Sequence, residues 1–267
     1  MNWPPVRHPY RALLWALIVT WVVLVPAGFI FGPMNNSGSK KIPLAICMVC
    51  TFIVAVCGGL WWLALSRPLK GYAALIGTGM LFGFLGDLAM GHVVIIPGLD
   101  PMILGMVWFG LCHTLYISGY VRLGRILDAR RPSLQVAAVF LVVALGLLSW
   151  WLLVQSPDTS AARNYGALIY ATFISIMGGF ALSLTLHRPR MTPLFVGAAL
   201  LLASDILLGN FAFRHNRRPL CDDVVWVMYN IGQGLIVFSS GYAIRVLQDS
   251  EAPSETPEGA GAGTGDA

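Results

Sequence analysis

Charge is scarce in this chain. Only 11% of its residues are charged, against about a quarter in an ordinary soluble domain, which argues against a water-soluble globule. Cysteine is scarce too. The five cysteines (Cys47, Cys50, Cys57, Cys112 and Cys221) are odd in number and scattered, and three share one apolar run. That pattern excludes a disulfide scaffold, and Cys47-x-x-Cys50 has no second pair to complete a metal site. The histidines never take H-x-x-x-H spacing, and neither a G-x-S-x-G elbow nor a phosphate-binding glycine loop occurs. No metal or cofactor is therefore expected. No basic domain or basic-aromatic motif is present either, so nucleic acid is not an expected partner.

What the chain does hold is apolar length. Over 267 residues the mean hydropathy is +0.74, and the apolar residues fall into runs of roughly 20, enough to cross a ~30 Å hydrocarbon layer. Eight spans are predicted, at 10–31, 42–65, 71–91, 102–121, 134–154, 165–186, 193–209 and 224–244, the seventh being short. Between them stand Gly-Pro, Arg-Pro, Pro-Gly and Ser-Pro breaks. The fold class is thus all-α, a polytopic eight-helix membrane bundle over residues 1–248. A Gly/Ala-rich acidic tail, 249–267, is expected to be disordered. The first span exceeds a signal-peptide core in length and is read as a retained helix.

Eight crossings bring both termini to one side, and the basic residues divide eleven to six in favour of that side. Positive-inside bias then puts both ends in the cytoplasm, with a bacterial inner membrane preferred over an endoplasmic reticulum membrane. Trp61, Trp62, Trp150 and Trp151 lie near predicted helix ends, where interfacial anchors belong. A short echo links Gly86-Asp87 of the third span to Ser204-Asp205 of the seventh. Four crossings separate them, so a parallel four-helix repeat would bring both aspartates to similar depth; chance likeness of two apolar segments is the alternative.

Asp87 and Asp205 are the only carboxylates in the predicted spans, and His113 is the only histidine. An aspartate at a helix centre costs roughly 2.5–3.5 kcal/mol on insertion scales, so such residues turn to the bundle interior and signal function. The bland alternative is a hydrogen bond across a helix interface. Gly79, Gly83, Asp87 and Gly91 form one stripe, Phe109, His113 and Tyr116 one face of the fourth span, and Tyr229 and Gln233 one face of the eighth. Ser175, Gly179 and Ser183 form a packing stripe in the sixth.

Gly86-Asp87, Phe109-x-x-x-His113-x-x-Tyr116, Ser204-Asp205 and Tyr229-x-x-x-Gln233, in that order, resemble the YhhN family, which includes the transmembrane protein 86 lysoplasmalogenases. The likeness covers roughly residues 71–245 and departs at Asn230, where a second aromatic is expected beside Tyr229. It implies an eight-helix hydrolase that cleaves the vinyl ether bond of a lysophospholipid, releasing a fatty aldehyde and glycerophosphoethanolamine or glycerophosphocholine. Asp87, Asp205 and His113 would then be catalytic, with Tyr116, Tyr229 and Gln233 at the substrate. The chemistry suits two carboxyl groups, one donating a proton and one guiding water. Arg214, Arg217 and Arg218 are either a phosphate site near the non-cytoplasmic leaflet or a solvated loop. The rival class is a proton-coupled carrier or lipid-binding membrane protein using the same aspartates. Oligomeric state stays open.

Overall fold

The computed structural model describes residues 8–129, 131–216 and 218–251. Among them run eight long helices: α1 (His8–Phe31), α2 (Leu44–Ala64), α3 (Lys70–Met90), α4 (Pro101–Ile126), α5 (Pro132–Ser149), α6 (Ala161–His187), α7 (Thr192–Phe213) and α8 (Cys221–Glu251). A π-helical turn, Trp150–Val154, prolongs α5, and a 3-10 turn, Pro189–Met191, leads into α7. Eight segments are long and apolar enough to cross a membrane. The protein is an integral, multi-pass, all-α bundle.

Boundaries follow local chemistry. Asp100 caps α4, its Oδ1 accepting from the Met102 amide at 2.9 Å, with Pro101 at the first helical position. Ser160 caps α6 through the Arg163 amide. The seventh span is longer than its predicted 17 residues, because Thr192 and Pro193 open the helix cleanly and Asn210 to Phe213 continue it. In the same way α8 continues to Glu251, past the start of the predicted tail at 249; residues 252–267 of that tail lie outside the described residues, as do Arg7, Arg130 and Arg217.

Helix pairing repeats between the halves. Contacts of α1 with α2, α2 with α3 and α3 with α4 are matched by α5 with α6, α6 with α7 and α7 with α8; α2 against α8 is matched by α6 against α4. A parallel four-helix repeat would produce these pairings, but the contact of α3 with α8 has no equally strong counterpart between α7 and α4. Small residues set the closest approaches: a Cβ on Gly58 would lie 2.8 Å from the Gly77 Cα, and one on Gly179 would lie 2.5 Å from the Val139 Cα. The α6 serine-glycine stripe thus serves packing. Buried Tyr72, Tyr116, Tyr120, Trp61 and Met80 fill the centre. Trp61 corrects an expectation: it is fully buried, edge-on to Phe238 at 6.2 Å, and is no interfacial anchor, whereas Trp62 is exposed.

Candidate functional site

The site gathers side chains from α3, α4, α6, α7 and α8. On α3, glycines admit the aromatic face of α4: a Cβ on Gly79 would meet the Tyr116 ring at 2.7 Å, and one on Gly86 the Phe109 ring at 2.8 Å. The glycines of this face therefore receive aromatic side chains of α4, and at Gly79 the Cys112 carbonyl of the α4 backbone also comes close, 3.2 Å from where a Cβ would be. Gly83 faces Gln233, Cys112 and the Tyr229 hydroxyl. Any larger residue along this face would push the aromatic face of α4 away from the carboxylate.

Each aspartate has its own tyrosine. Tyr229 donates to Asp87 Oδ2 at 3.0 Å, and Tyr170 donates to Asp205 Oδ2 at 2.5 Å. The Tyr170 hydroxyl also lies 3.0 Å from His113 Nε2. Asp205, Tyr170 and His113 thus form a three-member chain. A tyrosine hydroxyl both donates and accepts, so the chain runs in either sense. With Asp205 ionised, His113 Nε2–H donates to Tyr170, which donates to Asp205. With Asp205 protonated, the carboxylic acid donates to Tyr170, which donates to Nε2. Phe109 joins the two tyrosine–aspartate pairs, its ring 6.4 Å from that of Tyr170 and 5.8 Å from that of Tyr229.

A cavity of about 70 Å³ opens beside Asp205, lined also by Tyr170, Phe109, Met106, Trp150 and Gly209. It has room for ordered water, and the carboxylate and Tyr170 hydroxyl on its wall offer that water polar partners. The π-helical turn shapes one wall, setting Trp150 and Val154 against the cavity. A π turn shifts carbonyls out of the α register, and α7 meets them. Asn210 Nδ2 donates to the Leu153 carbonyl at 2.6 Å, and the Arg214 guanidinium donates to the Gln155 carbonyl at 3.0 and 3.2 Å.

The predicted residues divide accordingly. Asp87 with Tyr229, and Asp205 with His113, are each brought together. Tyr116 is not beside either carboxylate: its hydroxyl donates to Gln233 Oε1 at 2.7 Å, and the pair is completely buried. The Tyr116 hydroxyl and Gln233 Oε1 satisfy each other, and either left alone there would cost about 1–3 kcal/mol. The Tyr116 hydroxyl is thus engaged by Gln233 and by neither aspartate. Arg214 is likewise occupied by the α5 terminus, and Arg218 is exposed in the loop. Tyr170 is the residue that sequence reasoning missed. Its one signal is a tyrosine five residues inside the predicted span 165–186. Asn230 accepts from Trp21 Nε1 on the side of α8 away from the carboxylates. The cysteines are buried and free, and among the described residues no His, Cys, Asp and Glu cluster suits a metal.

At the end of the bundle opposite the termini, Arg163 of α6 donates through Nε to Asp100 Oδ2 at 2.6 Å. That side-chain bond holds the Asp100 carboxyl below the ordinary carboxylate range. It ties the start of α4 to the start of α6, the two helices that carry His113 and Tyr170.

A family model described as "YhhN family" matches residues 44–240, which include all the residues above from Asp87 to Gln233. No curated protein matches the chain, and no solved structure matches it.

Proposed function

Since the chain belongs to the YhhN family, we propose that it is an integral-membrane lysoplasmalogenase acting through Asp205 and Asp87. The observation that carries this reading is the cavity beside Asp205, whose carboxylate is backed by Tyr170 and His113. Asp205 lines this cavity and Asp87 does not, so Asp205 is assigned the proton donor. Protonation of the vinyl ether at its β-carbon forms a C–H bond and leaves an oxocarbenium ion. Water adds to that cation and loses a proton, and the hemiacetal collapses to a fatty aldehyde and the glycerol hydroxyl of the headgroup fragment. Overall one water is consumed, and the proton given by Asp205 is returned.

The Tyr170–His113 chain supports this cycle because Tyr170 can donate to Asp205 when it is ionised and accept from it when it is protonated, so the carboxyl group is held in place in both states. Asp87, held by Tyr229, supplies the second carboxylate that steadies the cation, as in glycoside hydrolysis. Tyr116 and Gln233 form the rigid floor that fixes α4 against α8. The cavity is lined toward Met102 and Phe213, near the ends of α4 and α7 remote from the termini. With both termini cytoplasmic, this supports loading from the non-cytoplasmic leaflet of a bacterial inner membrane. Arg218, exposed in the loop after α7 at that end, is then assigned to the lipid phosphate.

Purified protein in detergent, incubated with lysoplasmalogens of ethanolamine and choline, is expected to release aldehyde and glycerophospho-headgroup in equal amounts. Folded protein that releases neither from mildly acidic to mildly basic pH would refute the hydrolase reading. Proton-coupled flux in proteoliposomes without product would instead establish the carrier.

A further inference from the structure

A second cavity, about 570 Å³, lies between α1, α2 and α8, on the opposite side of α8 from the aspartates. Its walls are apolar: Ile18, Val22 and Val25 of α1 face Leu235 and Phe238 of α8, with Ile53 of α2 at the base. Two polar features interrupt them. At one end stands Arg245, half-buried and without an ion-pair partner among the described residues. Deep in the groove is Asn230, 1% exposed, whose Oδ1 is taken by Trp21 and whose Nδ2 has no partner among the described residues. Fifteen residues of α8 separate Asn230 from Arg245, about 22 Å of helix. Half a bilayer, headgroup level included, measures about the same.

Charge and length together select the occupant. A guanidinium in the groove wall at the level of the termini, followed by one leaflet's depth of apolar wall, matches an anionic head followed by a hydrocarbon chain. The wall is smooth where a chain would lie: a Cβ on Gly234 would have only the Trp21 ring within 4 Å, at 3.8 Å. Helix α1 and Arg245 both lie outside the residues matched to the family, 44–240. We propose that this groove is a binding site for an anionic phospholipid of the leaflet on the side of the termini, its phosphate on Arg245 and one acyl chain between α1 and α8. The site is separate from the aspartate cavity and does not depend on the hydrolase reading.

Native mass spectrometry of the full chain, extracted from vesicles of phosphatidylcholine and phosphatidylglycerol, tests it. Wild type is expected to retain phosphatidylglycerol preferentially. Arg245→Gln should lower that retention about fivefold, the equivalent of the roughly 1 kcal/mol that one basic side chain contributes near an anionic surface. Gly234→Leu, which fills the groove, should remove retention of both lipids. Undiminished phosphatidylglycerol retention in either variant overturns the proposal. A second measurement needs no variant: wild type that retains a diacylglycerol of the same chains as strongly as phosphatidylglycerol also overturns it, because the phosphate then contributes nothing.

Discussion

Two carboxylates in an apolar bundle pose the question of whether they act together or separately. Each is held by a different tyrosine, and Phe109 packs on both tyrosine rings. Groups that serve one reaction show losses that do not add. Asp205→Asn is expected to cut aldehyde release by at least about 10²-fold, the usual contribution of a positioned acid or base. Asp87→Asn should fall by a similar factor, and the double variant should be little worse than either. Fully additive losses in steady-state kinetics would show the two acting independently, and unfolding of either variant in detergent would favour a structural bond. Tyr170→Phe tests the hydrogen-bonded chain behind Asp205. It removes one hydroxyl, leaves the ring against Phe109, and should lower kcat roughly 10²-fold with KM unchanged. Equal kcat in wild type and variant would detach His113 from the reaction.

Helices are tied at their ends by a few polar contacts, and these set how firmly the site is framed. The Asp100–Arg163 pair joins α4 to α6. A carboxyl held below its unfolded value contributes stability above that value and loses it as pH falls through the folded one. Asp100→Asn keeps the cap of α4 and loses only the charge. Its thermal midpoint should therefore lie below wild type at neutral pH, and the two should converge as pH drops below about 4. A gap that stays constant with pH would assign the difference to the cap. The loop after α1 is fixed differently: Asp223, 2% exposed, accepts from the Lys41 and Ile42 amides at 2.6 and 3.0 Å. Asp223→Ala strands both amides and should cost about 1–3 kcal/mol for each buried group left unpaired. Thermal unfolding in detergent measures it; an unchanged midpoint would show that the loop is held by Ser39 and Asp222 alone.

Across the bundle, the two halves carry one aspartate each at the corresponding helix, α3 and α7, and the open cavity lies toward the end remote from the termini. Positive-inside bias predicts that this end is non-cytoplasmic. All five native cysteines are buried, so single reporters have a quiet background. Arg218→Cys in intact cells should react with an impermeant maleimide, whereas Arg67→Cys should react only after permeabilisation. The reverse pattern would invert the topology and move lipid loading to the other leaflet.

The eight spans, their breaks and the two aspartates were legible in the linear chain because a bilayer imposes length and polarity on every segment that crosses it. The glycine stripe of α3 was legible for the same reason, since small residues recur where helices touch. Side-chain partners were not. Nothing in local spacing distinguishes Tyr170, which reaches Asp205 across a helix gap, from Tyr116, which turns instead to Gln233. Trp61 sits at a helix end by position and in the core by packing. The π turn that walls the cavity depends on Asn210 and Arg214, more than fifty residues on, reaching its displaced carbonyls. Hydropathy and length act on each segment by itself and so are written in order along the chain. A hydrogen bond between helices depends on their rotation and depth relative to one another, and these take definite values only when all eight are packed.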